Sequence, residues 1–193
     1  MRQAFSGLVL ALLLSVAAPP AAMAGPFEDA DAAYEAGDYA KAMAVWRPLA
    51  EQGDAESQQA VGFMYDLGCG GVQQNFLQAA AWYRRAARQG SADARFRLGY
   101  LYESGLGVPR AVKEAARWYE MAARQGLAVA QGRLARFYLD GNGVPQSYQL
   151  AMDWAQKAAL GGDESAANIL STMYFTGQGV PEDREEARRW MKV

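Results

Sequence analysis

Apolar residues recur along this chain at the spacing of a helical face. Ala94, Leu98, Leu101 and Tyr102 stand at i, i+4, i+7 and i+8, and similar residues return at Ala130, Leu134, Phe137 and Tyr138, then at Ala166, Leu170, Met173 and Tyr174. Such a stripe predicts an amphipathic helix, and its return predicts copies of one helix. The position after the leucine is small in every copy: Gly62, Gly99, Ala135 and Ser171. Small residues and poor helix formers at one fixed place predict a neighbouring helix drawn up close. A second stripe follows, rich in alanine and built around tryptophan: Ala79, Trp82, Ala86 and Ala87, then Ala115, Trp118, Ala122 and Ala123.

Between the two stripes lies a glycine-rich turn. Gly105 and Gly107, Gly141 and Gly143, and Gly177 and Gly179 supply positive φ to end the first helix, and Pro109, Pro145 and Pro181 prevent its continuation. Asn75, Ser147 and Asp183 then stand as N-caps of the second helix, whereas Ala111 in the same slot predicts a frayed start. Asn75 with Gln78 and Asp183 with Glu186 have the spacing of a capping box.

These units repeat. Trp82, Trp118, Trp154 and Trp190 are each 36 residues apart, and each follows by ten residues a valine of the turn: Val72, Val108, Val144 and Val180. A period of this length predicts an all-α fold, an α/α solenoid of stacked helix pairs. The expected organisation is a repeat over 54–90, longer by one turn residue, then repeats over 91–126 and 127–162 and a truncated one over 163–193. Residues 25–53 predict a shorter capping helix pair, Glu28 to Ala36 and Tyr39 to Gln52, hinged at Gly37 and Asp38. Trp46 in that pair is one position out of phase with the other tryptophans, which are expected to be core between repeats.

The signature A-x-x-x-L-G-x-x-Y-x-x-G-x-G-V-P at Ala94 to Pro109, continued as A-x-x-W-Y-x-x-A-A-x-x-G at Ala115 to Gly126, resembles the Sel-1-like repeats, relatives of the tetratricopeptide repeats. The resemblance covers Asp54 to Val193. It implies a right-handed superhelix of antiparallel helix pairs that serves as a protein-binding scaffold, in bacterial exported members as an envelope adaptor. A cysteine-rich branch of the family, linked to penicillin binding or β-lactamase activity, staples each repeat with a disulfide. This chain departs from that branch, with Cys69 alone and neither Ser-x-x-Lys nor Lys-Thr-Gly.

Residues 1–24 predict a secretory signal peptide. Arg2 gives a positive start, Leu8 to Ala18 an apolar run too short for a membrane span, and Ala22-Met23-Ala24 a small-x-small cleavage site. Cleavage after Ala24 would begin the mature protein at Gly25, without a cysteine for lipid attachment, and send it to the periplasm or outside the cell. No mature membrane anchor is expected. The net charge is −2, and the loss of Arg2 makes it slightly more negative. So mild a balance excludes a nucleic-acid partner, which requires a concentrated basic surface. Cys69 is the one cysteine, so no internal disulfide forms, and pairing with a second chain is the one disulfide open to it.

The chemistry of catalysis is thin. With no histidine, Ser-His-Asp, Cys-His and histidine-based zinc sites are impossible within the chain. Adjacent carboxylates such as Glu185 and Glu186 do not face each other on a helix, and the glycine turns lack a Walker lysine and follow no strand. No catalytic residue, metal ligand or cofactor site is assigned. Where the packing columns are constant, the outward columns of the first helices vary. Phe63, Phe96, Tyr100, Arg136 and Phe175 fall there and form an aromatic strip with one arginine, the composition of interface hot spots. The same residues equally fit a role in covering neighbouring helices. The leading expectation is a protein or peptide held in the concave groove. A cell-wall or β-lactam-directed enzyme and a structural part of an envelope assembly are the alternatives.

Overall fold

The computed structural model describes residues 25–192; the expected signal peptide, 1–24, lies outside them. Every element among the described residues is a helix. A first pair, α1 (Pro26–Glu35) and α2 (Tyr39–Gln52), precedes four further pairs. These are α3 (Ala55–Leu67) with α4 (Phe76–Arg88), α5 (Ala92–Ser104) with α6 (Val112–Ala123), α7 (Ala128–Asp140) with α8 (Tyr148–Leu160), and α9 (Glu164–Thr176) with α10 (Arg184–Trp190). Each helix packs chiefly on its neighbours in sequence, the pattern of a one-dimensional stack.

One hydrogen-bond scheme closes every turn within a repeat. The first helix ends on a left-handed glycine, Gly68, Gly105, Gly141 or Gly177, with φ of 68 to 74°. The N-cap residue of the second helix then donates its backbone N–H to the carbonyl of the conserved-slot tyrosine: Asn75 to Tyr65, Ala111 to Tyr102, Ser147 to Tyr138 and Asp183 to Tyr174, at 2.8 to 2.9 Å. The side chains of Asn75, Ser147 and Asp183 accept from helix N–H groups as the sequence suggests, and Ala111 has no such bond.

The core differs in one column from the sequence expectation. Among the four spaced tryptophans only Trp82 is buried, while Trp118, Trp154 and Trp190 are half-buried and pack against the core from its edge. The fully buried ring belongs to the next residue, Tyr83 or Tyr119. Its space comes from the small column of the first helix. A Cβ on Gly62 would stand 2.7 Å from the Tyr83 ring, and one on Gly99 would stand 2.6 Å from the Tyr119 ring. In the third repeat the two change in opposite senses, the ring giving way to Ala155 while the small position gains a methyl group as Ala135. Trp46, out of phase in sequence, is buried all the same. It packs with Met43, Val61, Met64 and Trp82 and seals the first pair to the repeats.

Side chains also tie one pair of helices to the next. Gln58 donates to the Ala50 carbonyl at 3.1 Å, Arg95 to Ala87 at 3.2 Å and Gln131 to Ala123 at 3.0 Å. Gln89 and Gln125 reach back to the carbonyls of Gly53 and Gly90 at 2.8 and 2.9 Å. The equivalents at the last junction are Ala167 and Gly161, which have nothing to donate from a side chain.

Candidate functional site

Two cavities open along equivalent columns of the first helices α3, α5 and α7, and a third lies between α9 and α10. The cavity at the N-terminal end, about 590 Å³, is walled by Phe27, Tyr34, Trp46 and Phe63 and edged by Asp31, Glu56, Asp93 and Arg97. The middle cavity, about 460 Å³, lies between Phe96, Val129, Arg133, Arg136 and Ile169. Gly132 leaves its floor open, since a Cβ there would stand 2.8 Å from the Asp163 carboxylate. The C-terminal cavity, about 400 Å³, is bordered by Phe175, Arg184, Arg188 and Met191.

Four of the five residues marked out by the sequence line these cavities: Phe63 the first, Phe96 and Arg136 the second, Phe175 the third. Tyr100 lines none of them and stands exposed on the same face. Two of the aromatic side chains also have packing duties. Phe96 lies 5.6 Å from the Tyr119 ring, and Phe63 lies 6.1 Å from Tyr34 with the Arg97 guanidinium 5.1 Å above it. Arg136 has no carboxylate within ion-pair distance among the described residues.

A polar arrangement not anticipated from sequence links the repeats on this face. Tyr83 donates its hydroxyl to Asp66 at 3.2 Å, and Arg97 of the next repeat lies 4.0 Å from the same carboxylate. One repeat later Tyr119 donates to Glu103 at 2.5 Å, and Arg133 lies 3.7 Å from it. At the third repeat the equivalent positions are Ala155, Leu139 and Ile169, all buried. The signal was present as Arg97 and Arg133 at the repeat period, but an arginine on a helix reads as solvated surface until its partner is placed.

Burial governs the electrostatics of these groups. It raises the Asp66 carboxyl above its usual range, outweighing the Tyr83 hydrogen bond and Arg97, which both favour the charged form. Tyr83 and Tyr119 are pushed up strongly, first by burial and further by the adjacent carboxylate. Burial also raises the Cys69 thiol, whose Sγ donates to the Met64 Sδ at 3.4 Å. A raised thiol is a weaker nucleophile at neutral pH.

No group of three or more metal-ligating side chains is assembled among the described residues. None of the described helices is long and apolar enough to cross a membrane. The Sel1 repeat model matches the chain four times, at 55–91, 92–127, 128–163 and 164–192. The chain belongs to the Sel1 repeat family. A Sel1 repeat protein from Oxalobacter formigenes is 34% identical over 86% of this chain and 66% of its own, with a TM-score of 0.82. The antigen c5321, described as protective and present in uropathogenic Escherichia coli, is 32% identical over 86% of this chain and 36% of its own, with a TM-score of 0.81. This Sel1 repeat chain therefore spans only part of the length of either relative. Cysteine-rich protein B of Helicobacter pylori, at 24% identity over 74% of this chain and 96% of its own, shares the fold, with a TM-score of 0.50. No curated protein is similar enough in sequence to add to this. Sel1 repeats are typically protein–protein interaction scaffolds and generally non-catalytic, and the all-helical α/α solenoid expected from sequence is the architecture found.

Proposed function

We propose that this protein is a non-catalytic adaptor of the bacterial cell envelope that holds a protein or peptide segment along the face of its first helices. The observation that carries the reading is the pair of open cavities along α3, α5 and α7, lined at Phe63, Phe96 and Arg136 by outward columns that vary between repeats. Variable side chains over an invariant frame are how a repeat protein acquires a specific surface. Phe63, Phe96, Arg136 and Phe175 would anchor the segment, with Tyr100 beside them on the open face, and aromatic and arginine side chains are the types that dominate binding energy.

The export half of the reading rests on Arg2, the apolar run from Leu8 and the Ala22-Met23-Ala24 site, which together have the form of a cleaved signal peptide. The similarity to a protective antigen is in keeping with export. The periplasm or the extracellular space is then the place of action.

Panning a displayed peptide library on the purified protein tests the binding reading. Selected peptides should be retained by the wild type and lost by a Phe96→Ala, Arg136→Ala variant whose helical circular dichroism is unchanged. Retention by that variant, or failure to select any peptide, would overturn the reading.

A further inference from the structure

The N-terminal cavity differs from the other two in the sign of its unpaired charge. Three carboxylates edge it, on three different helices: Asp31 of α1, Glu56 of α3 and Asp93 of α5. Among the described residues, none of the three has a hydrogen-bond donor or a cation within bonding distance. Arg97 is the one cation lining the cavity, and it already lies beside Asp66. The Asp31 carboxyl is raised by burial and then by Glu28 and Glu35, as expected of an acid short of counter-charge.

The walls add a second and independent preference. Phe27, Tyr34 and Trp46 form a connected aromatic group, with Tyr34 at 5.7 Å and Phe27 at 6.3 Å from Trp46. Tyr34 lies 6.1 Å from Phe63, so the rings continue across to α3. Aromatic faces attract cations, and one face here already does so, with the Arg97 guanidinium 5.1 Å over Phe63. The wall therefore offers aromatic faces beside the three carboxylates.

We infer that this cavity seats a lysine or arginine side chain of the peptide segment that occupies the groove. The assignment rests on the groove reading above and adds the chemistry of the segment at one end. The alkyl stem of such a side chain packs on Tyr34 and Phe63, and its charge meets Asp31, Glu56 and Asp93. An acidic or phosphorylated segment would instead face like charge here. At the middle cavity Arg136 is the unpaired group, so the two cavities select opposite charges and give the bound segment a direction.

Nuclear magnetic resonance titration of the purified protein with N-acetyl-lysine N-methylamide tests this without any knowledge of the partner. Saturable shifts are expected at Tyr34, Gln59 and Phe63, with affinity at least about tenfold above that of the uncharged norleucine analogue, a ratio that corresponds to about 1.4 kcal/mol. An Asp31→Asn, Glu56→Gln, Asp93→Asn variant should lose that preference, and an Arg136→Ala variant should keep it. Equal binding of the two compounds, no saturable shift, or a preference that survives in the triple variant would overturn the inference. Library peptides that depend on Phe96 and Arg136 while the lysine compound fails to bind would leave the groove reading standing and remove this one alone.

Discussion

The junction between the second and third repeats and the junction between the third and fourth solve one packing problem in two ways. At the earlier junction Gly99 makes room for Tyr119, whose hydroxyl bonds Glu103 beneath Arg133, and Gln131 ties α7 to the carbonyl of Ala123. At the later one Ala135, Ala155, Leu139, Ile169 and Ala167 occupy the same positions, all buried. The substitutions move together, because each removes a partner that another would have left unsatisfied. A buried tyrosine hydroxyl needs an acceptor, a carboxylate there needs a donor, and removing the ring removes the need for both. The comparison shows that the polar set is coupled and dispensable as a unit.

The junctions also differ in what holds them. The raised Asp66 carboxyl shows burial outweighing its hydrogen bond and its arginine in the first of the two polar sets. Arg133 is nearly half exposed, so solvent screens its pairing with Glu103. Ring burial, rather than ion pairing, is therefore the main stabilising term at the polar junctions. Tyr119→Ala should cost about 3 to 5 kcal/mol in urea unfolding, by analogy with buried phenylalanine and tryptophan truncations. At the apolar junction Ala155→Gly should cost about 1 kcal/mol, mostly helix propensity. Equal losses at the two sites would show that the ring is not what fills the polar junction.

The coupling of Gly99 to Tyr119 predicts a smaller, non-additive effect. Gly99→Ala improves helix propensity but drives a Cβ to 2.6 Å from the ring, so it should destabilise by about 1 to 3 kcal/mol. Combined with Tyr119→Ala it recreates the pair found at Ala135 and Ala155, and the double variant should lose clearly less than the sum of the two. Additive losses would mean the glycine serves the backbone rather than the ring.

These pairs explain how far the sequence could be read. Helix existence, the glycine turns, three of the N-caps and the repeat organisation were legible, because each follows from spacing within one unit. The tightness of the column at Gly62 and Gly99 is legible too, but not the tyrosine that fills it, because the tryptophans were the rings expected in the core. Trp82 and Trp118 recur at the period and so do Tyr83 and Tyr119, one position on. Periodicity does not say which of two adjacent positions, about 100° apart on a helix, turns inward. The two lapse differently, since Trp154 and Trp190 persist where Ala155 and Met191 replace the tyrosine, and the small column persists with them. Phe63, Phe96, Arg136 and Phe175 stand out in the sequence because they break the repeat, and each lines a cavity. Phe27, Tyr34 and Asp31 were missed because the first cavity is assembled across the capping pair, where no second copy exists for comparison, and Arg97 because its carboxylate partner is set only by the fold.

The polar junctions should also respond to alkali in a way the apolar one does not. Tyr83 and Tyr119 have folded-state values raised above the ordinary 10.0, with burial the leading cause. A raised phenol contributes stability that is fully present below the unfolded value and is lost as pH rises from there towards the folded one. Above pH 10 each buried tyrosine should therefore subtract about 1.4 kcal/mol per pH unit, as unfolded chains release a proton that the folded chain retains. Urea unfolding at pH 9 and pH 11 reads this directly. Tyr119→Phe keeps the ring and removes the ionisation, so its stability difference between the two pH values should be smaller than that of the wild type by about 1.4 kcal/mol. Tyr83→Phe should behave alike. The same difference in variant and wild type would mean that the phenol reaches water in the native state, and the contrast between the junctions would then rest on packing volume alone.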